Sequence, residues 1–236
     1  MKPEHAECLI QNAGINFFGT VVAVITHELK NVLAIINENK GLLEDFAHLA
    51  RQEERELEPD TALTTAAAIS RQVERADIIV KNLNRFAHSP DREVKSVDLG
   101  EIVALAAALA RRPAAARALT LREAEKPGPV PLATAPFMLL HLLWRGLEFA
   151  FQAAAAGSEL SWRVSAGPGG GEEQDRERGA GLVVLTWQPA DAGAESLPAP
   201  FPGGLEEALL AALRGDCRLD PAAGRLELSL HDLSVV

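Results

Sequence analysis

The chain has 236 residues, 47% hydrophobic and 24% charged, which is enough to fill one large or two small cores and excludes disorder throughout. Lys and Arg number 23 against 33 Asp and Glu, and the formal charge of -10 repels nucleic acid and anionic membrane surfaces on average. Only Cys8 and Cys217 are present, too few for a disulfide scaffold and without the paired spacing of a zinc site, so both are expected to be buried or inert thiols.

No uninterrupted apolar run reaches the roughly 18 to 20 residues that span a bilayer. The opening MKPEHAECLIQN lacks the basic-then-apolar order of a secretory signal. A cytoplasmic protein with no nucleic-acid or membrane partner is expected.

From Phe18, apolar residues recur at Val22, Ile25, Leu29, Val32, Ile36, Leu43 and Phe46, with Asn39 in the one vacant step. Alternating four- and three-residue intervals are a heptad seam, which predicts a long helix over residues 17–50 with Asn16 as its N-cap. Asn39 reads as a register-fixing polar residue in that seam.

Within this helix lies HELKN, His27 to Asn31. With Ile25 and Leu29 on the seam, His27 points furthest from it and faces solvent. Zinc-protease chemistry needs a second His four residues on, and position 31 is Asn, so that reading fails. A neutral imidazole is a good nucleophile near pH 7, and the Glu28 carboxylate beside it could hold the proton of the other ring nitrogen. Lys30 adds positive charge for an incoming phosphoryl group, and Asn31 can orient water or bond a phosphoryl oxygen.

Pro59 and Asp60 mark a turn after the charged stretch RQEERELEPD. Ala66, Ile69, Val73, Ala76, Val80, Leu83 and Ala87 then predict a second, antiparallel helix. Leu33, Ile35, Leu42, Ile79 and Phe86 widen the apolar faces beyond what two helices cover, and a dimeric four-helix bundle would bury them. Pairing residue 50 with 61 across the turn sets position 27 beside 84, which brings Lys81, Asn84 and Arg85 to the height of His27, facing a docking partner.

HSPDREVKS, residues 88–96, reads as a linker between a helical domain at 1–90 and a second domain at 97–236. The second domain shows helical patterns near 98–112, 135–155 and 203–214. Strand patterns fall near 119–123, in LSWRVSA and GLVVLTWQ, and in the final RLELSLHDL. That order fits an α+β sandwich with helices on one sheet face. Trp144, Trp162 and Trp187 are expected as core aromatics. Of the other histidines, His5 lies in an end expected to fray, His48 and His88 lie near helix ends, and His141 lies in an apolar helix; structural or solvated roles are assigned to them.

An outward HELKN on the first helix of a dimeric hairpin, followed by a linker and an α+β domain, resembles the bacterial sensor histidine kinases. In that family the phosphorylated His is followed by an acid and, four places on, by Thr or Asn, positions held here by His27, Glu28 and Asn31. The second domain departs from the family. The helix expected to carry its Asn-rich metal-binding box reads PFMLLHLLWRGLEFAFQAA and has no Asn, and the last asparagine of the chain is Asn84. The turn at Asp191 to Glu195 has Glu195 where a second Gly belongs, PGGLEEALLAAL is a worn form of the last glycine box, and GPGGG at 167–171 reads as a hairpin connection.

A kinase-like dimerisation domain beside a degenerate ATP-binding domain resembles the histidine phosphotransferases of sporulation and cell-cycle phosphorelays. That resemblance implies a homodimer relaying phosphoryl groups between aspartates of response-regulator receiver domains through His27. It implies no cofactor of the chain's own, with Mg²⁺ coming from the receiver. Two rival readings are a non-catalytic regulator of a receiver or kinase, and a receiver phosphatase using Glu28 and Asn31. An ATP-using sensor kinase is a further one.

Overall fold

The computed structural model describes residues 3–91, 93–122, 128–167, 180–190 and 200–233. Helix α1 runs over Pro3–Gln52 and α2 over Pro59–Ala87. The first helix therefore starts well before residue 17, His5 sits within it, and Asn16 is not a cap. The Asn16 carbonyl lies inside the helix, where it accepts from Thr20 Oγ1 at 2.8 Å. Gly14, a weak helix former, is tolerated because the Phe137 ring packs there: a Cβ on Gly14 would stand 3.2 Å from the ring edge. By length and composition alone α1 is apolar enough to cross a bilayer, a test that the core helix of a soluble protein also passes. Gln11, Asn12 and Asn16 interrupt the runs without lowering the average far.

The hairpin register differs from the simple pairing of 50 with 61. Arg75 meets Glu28 across the two helices, where that pairing sets residue 83. The difference of eight residues is about 12 Å of helix. The connection accounts for it: Glu54 turns the chain with a φ of 49°, and residues 55–58 are non-helical. Four such residues can run back as much as about 13 Å along α1 before α2 begins.

The inner row of α2 follows from this register. Thr65, Ile79 and Phe86 are buried, and Ile69, Gln72, Ala76 and Leu83 are half-buried. The expected row at Ala66, Ile69, Val73, Ala76, Val80, Leu83 and Ala87 shares only Ile69, Ala76 and Leu83 with it, and Val73 and Val80 are exposed. On α1, Val21, Ile25 and Val32 are buried, while Leu33 and Leu42 are exposed. Asn39 is half-buried, and its amide donates to the Ile35 carbonyl of its own helix at 2.8 Å.

Residues Val21–Arg85 form one compact unit; Met1–Thr20 and Phe86–Val236 form the other. In the second unit follow β1 (Lys95–Asp98), α3 (Leu99–Ala115), β2 (Thr120–Leu121), β3 (Pro131–Thr134) and α4 (Pro136–Ala153). After them come β4 (Glu159–Ala166), β5 (Ala180–Thr186), α5 (Gly204–Ala212), β6 (Gly215–Asp220) and β7 (Arg225–His231). A five-stranded sheet runs β2-β4-β5-β7-β6, antiparallel apart from the parallel β2–β4 pair, and β1 and β3 form an antiparallel ribbon.

Leu160, Trp162 and Val164 on β4, Val183 and Leu185 on β5, and Leu226, Leu228 and Leu230 on β7 alternate into the core. Against that core α3 packs on α4, and α4 on α5. At Gly146 the helix comes so close to β7 that an added Cβ would stand 2.8 Å from Leu226. The α+β class with helices following strands is thus as expected, and all three tryptophans are buried. Three of the strands carry no strand pattern in the sequence. β1 is only four residues long and lies partly in the presumed linker, β3 (PLAT) is as short, and β6 (GDCRLD) alternates charge with half-buried residues as edge strands do.

His141 is buried on α4, its ring stacked on Phe17 with centroids 4.5 Å apart and planes within 1°. Burial and the Arg145 guanidinium push its pKa down to about 4, against the pull of Glu206. The folded ring thus resists a proton that the unfolded chain accepts near pH 6.5, so its contribution to stability is full above that pH. That contribution disappears as pH falls toward 4. We expect His141→Phe, which keeps the stack, to lose less stability than wild type between pH 7 and 4.5, by up to about 3 kcal/mol. Denaturant melts at the two pH values measure this, and equal losses in both proteins would contradict it.

Candidate functional site

α1 between Val21 and Lys40 contains neither Gly nor Pro, so the backbone carrying HELKN is an uninterrupted helix. His27, Lys30 and Asn31 are all exposed. Spacings of three and four residues set Lys30 and Asn31 one turn from His27 on the same face. The three thus form a polar stripe open to a partner.

Glu28 lies about 100° around the helix from His27, on the row of Val21 and Ile35. Its side chain is 19% exposed, and its Oε1 accepts a hydrogen bond from Arg75 Nη2 at 2.9 Å. One carboxylate oxygen expected to serve the imidazole is therefore held by a guanidinium from α2. Sequence spacing alone does not place Arg75 here. A lone acid on a half-buried heptad row, seven residues from Val21 and seven from Ile35, was the signal that a cation must stand opposite.

The same register removes Lys81, Asn84 and Arg85 from the height of His27. They sit about 7 to 13 Å further along α2, where the level of His27 is held by Ala76 and Asp77. All three are exposed, and Lys81 Nζ is paired with Asp77 at 2.6 Å on its own helix.

In the other unit the helix at the place of the expected metal-binding box is α4. Its polar centre is Arg145, whose Nε meets Glu206 Oε1 at 2.6 Å and whose Nη1 meets Glu148 Oε2 at 2.8 Å. Burial disfavours the charge on Arg145, but the hydrogen bond and attraction from Glu206, aided by Glu148, more than offset it and raise its pKa. Glu206 is itself buried and turns its other oxygen to the Gly203 amide at 2.9 Å, closing the N-terminus of α5. The glycine pair Gly203–Gly204 thus opens a helix already capped by a carboxylate, where a phosphate would meet like charge.

Cys217 is half-buried, and burial together with Glu206 pushes its thiol up to about 11, so it is inert near neutrality. Cys8, by contrast, is exposed on α1, where it accepts a hydrogen bond from Asn12. Among the described residues no three His, Cys, Asp or Glu groups converge as a metal site. The turn at Asp191 to Glu195 and most of the 167–171 loop lie outside the described residues.

No protein-family model matches the sequence, and no curated protein matches it either. Among solved structures, the chain is similar to the Acinetobacter baumannii histidine kinase AdeS, with a TM-score of 0.43, 15% identity, and coverage of 87% of this chain and 96% of that one. It is similar to a histidine kinase from Burkholderia phymatum, with a TM-score of 0.41, 15% identity, and coverage of 86% and 97%. The cytoplasmic segment of the histidine kinase QseC gives a TM-score of 0.42, 14% identity, and coverage of 68% and 94%. Likeness at this level assigns no activity, and the functional reading rests on the chain's own residues.

Proposed function

We propose that this chain is a histidine phosphotransfer protein of a two-component phosphorelay. It passes phosphoryl groups between receiver-domain aspartates through His27 and does not phosphorylate itself from ATP. The observation that carries the reading is the open stripe of His27, Lys30 and Asn31 on a rigid helix. Phosphoryl transfer demands alignment and charge neutralisation more than covalent help, and such a stripe supplies both to a docked receiver. The receiver brings the Mg²⁺. In the sheet-bearing unit, the tie between Arg145 and Glu206 supports a nucleotide-free role, because the polar groups of α4 and the N-terminus of α5 are already engaged with each other.

A homodimer in the cytoplasm belongs to the same proposal. Exposed Val73 and Val80, seven residues apart on one row of α2, are apolar side chains that a second hairpin would cover.

Label supplied as phosphorylated receiver is expected on the wild-type chain in acid-labile form and absent from His27→Ala, and labelled ATP alone is expected to give none. Label from ATP alone would make the protein a kinase. Inorganic phosphate released without a labelled chain, with Asn31→Ala impaired more than His27→Ala, would make it a phosphatase. Unchanged regulation of a receiver by His27→Ala would leave only binding.

A further inference from the structure

Arg75 reaches across the hairpin to Glu28 with 2.9 Å between Nη2 and Oε1, and Glu28 is covalently next to His27. The guanidinium is about half exposed while the carboxylate is mostly covered, so the arginine also has access to the outer face. We infer that Arg75 is a positioning residue for chemistry at His27: by holding Glu28 it sets how strongly that carboxylate attracts a proton to the imidazole. The inference rests on the phosphotransfer reading of His27.

During uptake, the lone pair of one ring nitrogen forms the N–P bond as the P–O bond to the receiver aspartate breaks, and that electron pair returns to the aspartate carboxylate. The second ring nitrogen keeps its proton, so the phosphorylated ring carries positive charge until the proton leaves. A nearby carboxylate stabilises the protonated ring, which makes the nitrogen a better leaving group but a scarcer nucleophile. A cation bound to that carboxylate weakens both effects. Charged groups at this level are Glu28 and Lys30 on α1, with Glu74, Arg75 and Asp77 on α2. Asp77 and Lys81 are paired with each other, so their net effect on the ring is small.

The test is an NMR titration of the His27 ring together with the pH profile of phosphoryl uptake, in wild type, Arg75→Ala and Arg75→Lys. Arg75→Ala is expected to raise the ring's titration midpoint by about half a unit to one unit. The rising limb of the uptake profile should move by the same amount, lowering uptake near pH 6.5 by about 2- to 5-fold. Arg75→Lys should restore most of both. A merely structural arginine would change the amount of folded protein and leave both midpoints in place. If wild type takes label while Arg75→Ala titrates and transfers as wild type does, the assignment of Arg75 is wrong and the relay stands. If wild type takes no label from any receiver, the relay fails, and Arg75 has no role in transfer.

Discussion

Replacing Arg145 by Met is expected to destabilise the protein by about 3 kcal/mol or more, and Glu206→Gln by only about 1 to 2 kcal/mol. The asymmetry follows from exposure: the Glu206 side chain is 4% exposed and that of Arg145 is 41%. Without Arg145, a carboxylate remains buried with the Gly203 amide as its hydrogen-bond donor, beside a Cys217 thiol that burial keeps protonated. Without the charge on Glu206, the guanidinium keeps Glu148 and water. The partial exposure of Arg145 is why the smaller figure is discounted from the cost of a fully buried broken pair. At about 2 to 4 °C per kcal/mol for a chain of this size, Arg145→Met should melt roughly 6 to 12 °C below wild type. Arg145→Met combined with Glu206→Leu should recover most of that loss, because it removes the orphaned charge and leaves apolar contact in its place. Equal costs for the two single changes, measured by thermal and urea melts, would mean that Glu206 is far better solvated than the structure describes.

This ion pair was illegible in the sequence because Arg145 and Glu206 are 61 residues apart and each sits in an apolar helix that reads well without it. Periodicity reports which face of a helix is buried; it does not report which charged residues two buried faces share. For the same reason the two long helices and the order of helices and strands in the second unit were readable, while the ends of the elements and the short strands were not. Lys95–Asp98 pairs with Pro131–Thr134 through backbone bonds that need no strong β-former, and such strands leave little trace in composition.

The outward direction of His27 followed from heptad spacing, because with Ile25 and Leu29 on the seam position 27 points furthest from it, and Asn31 lies one turn on along the same face. What stands across the hairpin did not follow. A six-residue connection leaves the relative height of two antiparallel helices open by several residues, and the side chain opposite Glu28 changes with every step. Arg75, four residues beyond Arg71, was hidden by nothing more than this sliding freedom. On α2 the apolar residues at 66, 73 and 80 suggested one row while the chain buries the neighbouring one. The buried row includes Thr65 and Gln72, so apolarity alone favours the other row, and the connection sets the outcome.

Phe17→Ala is expected to cost about 3 to 5 kcal/mol, although Phe17 lies in a helix whose neighbouring residues Asn16, Phe18 and Gly19 are exposed. Its ring is 4% exposed and meets four others: Phe86 at 5.4 Å edge-on, Phe137 at 5.5 Å, His141 at 4.5 Å in a parallel stack, and Trp144 at 5.8 Å. Phe86, the last buried residue of α2, is fully enclosed by this cluster. Truncation at position 17 therefore opens a cavity that rigid rings on α4 cannot collapse to fill, so the cavity cost adds to the lost transfer energy. Phe18 is the internal control: it is 36% exposed and stacks on Phe86 at 5.2 Å, so Phe18→Ala should cost only about 1 to 2 kcal/mol. Because Phe17 belongs to the same compact unit as α4, deleting residues 1–20 should unfold the sheet-bearing unit's α4 surface as well as shorten a helix. A melt in which Phe17→Ala and Phe18→Ala are equally mild would show that the α1 N-terminus is an appendage, and the second unit would then be stable without it.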